Sequence, residues 1–385
     1  MRSWPLTGRD ADLAGILDAR RDPDSCGVIV TGPAGVGKTR LAREAVDRLA
    51  RAGAKTAWIL ATRATAPVPL GAAAHLAPAE LGKPGDLAAA ILDWAYAEGG
   101  RARVVLGVDD TSLLDDGSAA LVSHLAADGL AFIVGTGRTP QTPPPEGNQR
   151  TATLLALTEA HVDRLIDHEL GLEPDGATLD PESRNRLRTK AAGNPLALRE
   201  LLAAGRATGD LERRFGVWHW NGGLDTPSDV AALIAANLAG LPDPVRAVVE
   251  LVSWAEPLPL SMLTRLTDTA AVTEASTRGL ITLERRGSRR RLRLAHPLHG
   301  ESVRALMTAS RIADIWRDLA VAALASPLRR HDDNLRVAMW QVDGGYVTRP
   351  DVVLRGAEDA ADRGDLVLAD RLAGAVLRGG DAAAG

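Results

Sequence analysis

The sequence predicts an α/β domain built on a parallel sheet, followed by helical units that enclose one β-hairpin. Over residues 1–150 short apolar runs alternate with helical patterns, as in strands joined by crossover helices. From Thr158 onward apolar residues recur at helical spacing. Two strand-like runs around Gly287-Ser288 then interrupt the helices.

In the α/β part, Cys26–Thr31, Thr56–Ala61, Arg103–Val108 and Ala131–Gly135 read as buried strands, and Thr39–Ala52 as the helix after the first. The proline-dense Thr139–Gly147 is a loop, with a short strand expected at Ala152–Leu157. Thr158 caps a helix over Glu159–Leu170, and Asp180-Pro181-Glu182 opens another. Gly193-Asn194-Pro195 breaks that helix, Leu196–Ala204 restarts it, and Trp218–Gly223 reads as a turn-rich bridge. Amphipathic helices follow at Asp229–Ala239 and Asp243–Ala255, with shorter ones at Leu260–Leu266 and Ala270–Gly279. Leu280–Arg286 and Arg289–Ala295 form the hairpin, and helices closed by a hairpin are the layout of a winged helix. Small residues across Leu354–Leu377 have the spacing of paired repeat helices, and the ending at Asp381–Gly385 without a cap reads as a truncation.

At 385 residues the chain exceeds one ordinary core, so roughly two to four domains are expected. With 45% apolar and 24% charged residues it reads as soluble and globular, with no run of the ~18 apolar residues a membrane span needs. Met1–Pro5 lacks the apolar core of a secretory signal. Cys26 is the only cysteine, which excludes intrachain disulfides and thiolate metal sites and points to the cytoplasm. A net charge of −4 argues against a whole-molecule nucleic-acid binder. His75, His124, His161, His168 and His331 show no metal-ligand spacing, and His219 between two tryptophans reads as a packed hairpin residue.

Gly32-Pro33-Ala34-Gly35-Val36-Gly37-Lys38-Thr39 matches G-x-x-x-x-G-K-[ST] between a strand and a helix. Its glycines let successive amides turn inward to cradle phosphate, and the following helix adds its positive end. Lys38 is placed to reach β- and γ-phosphates and the Thr39 hydroxyl to complete a Mg²⁺ shell, so ATP or ADP with Mg²⁺ is the expected ligand. The strand ending at Asp109-Asp110 supplies the acids: Asp109 for the metal and Asp110 to orient or deprotonate the attacking water. Asp115-Asp116 reads as a solvated cap. Arg138, ending the next strand, is placed to sense the γ-phosphate.

Together these residues resemble the STAND class of AAA+-related signalling ATPases, in particular the ATP-binding module of large LuxR-type regulators of the maltose-activator kind. The likeness spans most of residues 6–310. Leu6–Leu13 resembles the segment that lies against adenine, bringing in Gly8 and Arg9. Gly193-Asn194-Pro195-Leu196-Ala197-Leu198 resembles the G-x-P-L-A motif, whose proline, here Pro195, packs on the base. Leu294–Leu298 resembles the winged-helix segment whose histidine, here His296, touches the β-phosphate of resting-state ADP. Arg40 completes the candidate nucleotide-binding set. Two departures stand out: Gly107 sits where a larger apolar residue is usual, loosening Asp109, and His299-Gly300 stand near the family's arginine.

The resemblance implies a P-loop domain of AAA+ type at 1–157, a helical lid at 158–225, a winged helix at 226–310 and the start of a TPR-like arm at 311–385. It further implies a slow ATPase switch, closed with ADP and active with ATP, that answers an unidentified inducer (small molecule or protein) on the arm. ATP-dependent self-association belongs to the same reading, with DNA engaged only through a region beyond residue 385 and no membrane partner. The run Arg285–Arg293 suggests an alternative, an origin-recognition-like ATPase gripping DNA through its wing, although a charged hairpin tip is ordinary. A STAND switch with a different effector is the other.

Overall fold

Five parallel strands set the frame, and their order explains why the three inner strands are apolar on both faces. The computed structural model describes residues 4–76, 87–99, 103–137, 149–172, 177–221, 230–286, 289–326, 328 and 333–383. The first unit runs α1 (Asp10–Arg21), β1 (Gly27–Thr31), α2 (Lys38–Arg51), β2 (Thr56–Leu60), α3 (Leu87–Gly99), β3 (Val104–Asp109), α4 (Asp116–Ala127), β4 (Ala131–Thr136) and β5 (Gln149–Thr153). The strand order is β2-β3-β4-β1-β5, with every pairing parallel. Alternate residues divide between two cores. Leu106, Val108 and Ile133 meet Ile91 of α3 and Leu125 of α4, whereas Val28, Val105 and Phe132 meet Ile16 of α1 and Leu41 of α2.

The last strand lies three residues earlier than the apolar run at 152–157 suggests. The partner edge, not the side chains, fixes it: Val28 aligns with Arg150, and Leu155 is left 72% exposed. Asp115 also departs from expectation. It caps α4 by accepting from the Ser118 amide at 2.9 Å, yet it is buried, because the same carboxylate accepts from the Leu70 amide at 2.7 Å.

The second unit holds α5 (Glu159–Leu170), β6 (Thr178–Leu179), α6 (Pro181–Ala191), α7 (Pro195–Thr208), β7 (Leu211–Arg214) and β8 (Val217–Trp220). Of the stretch expected to be a bridge, Trp218–Trp220 is strand, and Gly222-Gly223 lies outside the described residues. Val217–Trp220 pairs with β7 and β6 in a small sheet, and Trp220 fills the unit's core, which a turn of this composition concealed. Gly193 turns the chain into α7 at φ +74°, where a Cβ would lie 2.4 Å from the Leu157 carbonyl. That position needs glycine.

The third unit comprises α8 (Val230–Ala239), α9 (Asp243–Ala255), β9 (Leu258–Pro259), α10 (Leu260–Leu266), α11 (Thr269–Thr277), β10 (Ile281–Arg286), β11 (Arg289–Leu294) and α12 (Pro297–Leu306). Its hairpin is not a uniformly solvated comb of arginines. Arg293 is buried and donates to Glu284 at 3.2 Å, and Glu284 lies 3.6 Å from Arg43 on α2. One face of the hairpin thus leans on the first unit. The turn at Gly287-Ser288 lies outside the described residues, as does the loop at Thr139–Gly147.

Helices α13 (Ala309–Leu324), α14 (Asp333–Asp343), α15 (Pro350–Asp362) and α16 (Leu366–Ala383) follow. Val68, from the loop after β2, sits in their core, and Arg363 donates to the Pro69 carbonyl at 3.1 Å. Among the described residues no helix is long and apolar enough to cross a membrane.

Candidate nucleotide site

The loop between β1 and α2 turns on left-handed glycines, with φ +141°, +81° and +105° at Gly32, Gly35 and Gly37. Gly37 ends the loop without capping α2 by any side chain, which leaves the helix's first amides as anion donors. The Lys38 ammonium folds into the same loop and donates to the Gly32 and Pro33 carbonyls, each at 2.9 Å. Pro33 is exposed, Ala34 half-buried and Val36 buried.

Beside the loop, Asp109 ends β3. One of its oxygens accepts from the Thr39 hydroxyl at 2.8 Å and from the Thr136 hydroxyl at 3.0 Å. A carboxylate next to a hydroxyl is the hard-oxygen donor pair that Mg²⁺ shares with phosphates and water. The residues therefore fit the ion, with Thr39 and Asp109 as its holders. Gly107 does not loosen this strand: a Cβ there would fall 2.6 Å from the ring of Trp58, so the indole fills the missing volume. Asp110 takes φ +55° and accepts from Ser112 Oγ at 2.6 Å, which turns its carboxylate along the loop. Arg138 lies outside the described residues.

The leading segment is placed behind the loop. Arg9 is buried and donates to the Val36 carbonyl at 3.2 Å and the Leu155 carbonyl at 2.6 Å. Its guanidinium braces the loop backbone. Gly8, at φ +69°, approaches the His161 ring so closely that a Cβ would lie 2.4 Å from it. Exposed Arg40 reaches back to the Trp4 carbonyl at 3.2 Å.

Later units touch the loop directly. Asn194 caps α7 and donates from Nδ2 to the Ala34 carbonyl at 2.8 Å, which sets half-buried Pro195 beside the loop. Ala34 packs against the core of the third unit. His296 caps α12, its Nδ1 accepting from the Leu298 amide at 3.1 Å. That bond places the ring proton on Nε2, a donor suited to a phosphate oxygen. Burial, helped by His299, Arg199 and nearby Lys38, pushes the imidazole down to about 3, so it is neutral at physiological pH.

Sequence reasoning missed several residues around this junction. His299 does not replace an arginine at the phosphates; it is buried, and its Nε2 meets Glu200 Oε1 of α7 at 3.2 Å. Asn237 of α8 donates to the other Glu200 oxygen at 2.9 Å. Burial opposes charge on Glu200, but His299, Arg199 and Asn237 outweigh it and hold the carboxyl down to about 2. Glu256, between α9 and β9, accepts from the Leu294 amide at 2.9 Å. Burial raises its pKa despite Arg293 and Arg304, and Asp109 is close enough to add to the rise. Nothing local marks any of these as site residues.

The comparisons agree with this geometry. Residues 5–134 match the family model described as an AAA ATPase domain. The chain thus carries an AAA ATPase domain with a P-loop fold, followed by a helical region. No curated protein matches the chain. Among solved structures it is similar to a Signal Transduction ATPase with Numerous Domains (STAND) protein with a tetratricopeptide repeat sensor from Pyrococcus horikoshii, at 16% identity and TM-score 0.59, over 97% of this chain and 58% of that one. That likeness shows the fold, and this chain spans little more than half of that protein. Weaker similarity extends to the Aeropyrum pernix ORC1 protein in complex with DNA (17% identity, TM-score 0.42, 80% of this chain and 95% of that) and to C. elegans PCH-2 (11%, TM-score 0.36, 51% and 63%).

Proposed function

We propose that this chain is a STAND-type switch in which the loop at Gly32–Thr39 holds ATP or ADP with Mg²⁺ and the later units read which one is bound. Lys38, the loop amides and Arg40 attend the phosphates, Gly8, Arg9 and Pro195 the nucleoside side, and Thr39 and Asp109 the Mg²⁺. Asp110 aligns water for slow hydrolysis, and Arg138 senses the γ-phosphate. His296 is the resting-state contact: its Nε2 donates to the β-phosphate of ADP in the closed form, and a γ-phosphate competes for that contact. Each nucleotide shifts the balance only by its difference in affinity for the two forms. The third unit is read as a winged helix, the last helices as the start of a TPR-like arm that answers an inducer, and the output as LuxR-type regulation of transcription. ATP-dependent self-association fits the same cycle.

One observation supports this above the others. The phosphate loop is bound from outside at two points, through Asn194 on the Ala34 carbonyl and through Ala34 against a core built mainly by the third unit, with His296 near enough to feel the charge of Lys38.

The identity of nucleotide released when the purified protein is denatured tests the reading. Near-stoichiometric ADP is expected; a site that neither carries nor takes up nucleotide contradicts it. Asp109→Asn should lower Mg²⁺ affinity in the presence of ATP by about 10–100-fold, as removal of a metal partner does. Magnesium-free ADP binding should be unchanged in the same titration.

The origin-recognition alternative is less well supported, because Glu284 of the hairpin pairs with Arg43 of α2 and so rests the hairpin against the first unit. Random duplex DNA across a salt series distinguishes the two: steeply salt-dependent binding by this chain would favour the alternative.

A further inference from the structure

A second cleft, of about 790 Å³ and with no phosphate-loop residue in its lining, opens between the first unit and the third, with α13 at its edge. Arg63 and Leu113 line it on one side, and Trp254, Glu301, Arg304 and Ile312 on the other. Its volume falls within the range of about 300–1,000 Å³ typical of small-molecule sites. We propose that this cleft binds a small organic monoanion with an apolar body, its carboxylate held between Arg63 and Arg304.

Three observations carry the assignment. Arg304 is fixed in place, donating to the Ser253 carbonyl at 2.6 Å and lying 5.8 Å over the Trp254 ring. Trp254 is itself braced edge-on by Trp316, with ring centroids 5.0 Å apart, so the apolar wall is preformed. Among the lining residues two guanidinium groups face one carboxylate, Glu301, while Glu256 outside the lining also acts on Arg304; burial, and then the charge of Arg63, still make Arg304 bind its proton less tightly. A carboxylate between the arginines would relieve that repulsion and gain charge-assisted hydrogen bonds.

In a cleft of about 640 Å³ on the last helices both arginines are held in direct ion pairs. There Arg349 and Arg355 both pair with Asp351, at 2.8 and 2.7 Å. The proposal stands on the cleft alone, whatever nucleotide the loop holds.

The test titrates the full chain with 4-phenylbutyrate, and with uncharged 4-phenylbutanol, using tryptophan fluorescence and ligand-observed NMR. Saturable phenylbutyrate binding at about 2 mM or tighter is expected, which is what about 0.3 kcal/mol per heavy atom gives. The alcohol and the Arg63→Glu variant should each bind at least about tenfold more weakly. Arg63 is exposed, so its replacement leaves the core intact. No saturable binding, equal binding of the alcohol, or undiminished binding by Arg63→Glu would overturn the proposal.

Discussion

Lys38→Ala should lower ADP affinity at least about a hundredfold in calorimetry or fluorescent-nucleotide titration, since hydrogen bonds to charged groups are worth about 1.5–3 kcal/mol each. The ammonium already lies inside the loop, 2.9 Å from each of two loop carbonyls, so it needs little reorganisation to meet phosphate. Arginine is not an equivalent replacement. Its planar fork is longer and bulkier than the compact ammonium, and Lys38→Arg should recover only part of the affinity. The side chain takes no part in a core, so the melting temperature without nucleotide should hardly move. Unchanged affinity in Lys38→Ala would remove the phosphate reading of the loop.

The second large effect concerns stability. Glu200→Ala strips a carboxylate from buried His299 and from Asn237, and should destabilise the fold by about 3–5 kcal/mol in denaturant unfolding, as loss of one member of a buried pair does. Glu200→Gln, which keeps a hydrogen-bonding oxygen, should lose less. The pH dependence has a definite sign. The folded carboxyl sits at about 2 against an ordinary 4.5, so its contribution is complete above about pH 4.5 and is lost as the pH falls toward about 2. A shift of that size is worth about 3 kcal/mol. The gap between the native protein and Glu200→Gln should therefore be widest near neutrality and close in acid. A gap independent of pH would mean that the charge does not matter.

Such a pair could not be seen in the sequence, whereas the loop could. Gly32–Thr39 and Val104–Asp109 are local: a few adjacent residues determine a backbone shape, and the apolar run ahead of Asp109 announces a strand. Glu200 and His299 lie 99 residues apart and meet only because α8 packs against both α7 and α12. Asn194 was legible as a helix-breaking position, but not as a donor to Ala34. Trp58 facing Gly107 is the same lesson inside one sheet. The glycine looks like a weakness until the neighbouring strand supplies the ring that fills it. Four strands were legible because buried parallel strands are continuous apolar runs; the fifth was expected three residues late because Gln149–Thr153 carries no such run, and β8 escaped because tryptophan, histidine and asparagine read equally well as a turn.

The clamp itself is tested most directly by measuring ADP and ATP affinities for the native chain and for His296→Ala under the same conditions. The imidazole is neutral and presents Nε2–H, so its loss should weaken ADP by about tenfold, the worth of one hydrogen bond to a charged phosphate. ATP should change by no more than about twofold, because its γ-phosphate already displaces the contact. Equal changes for both nucleotides, or none for either, would contradict a switch read through His296.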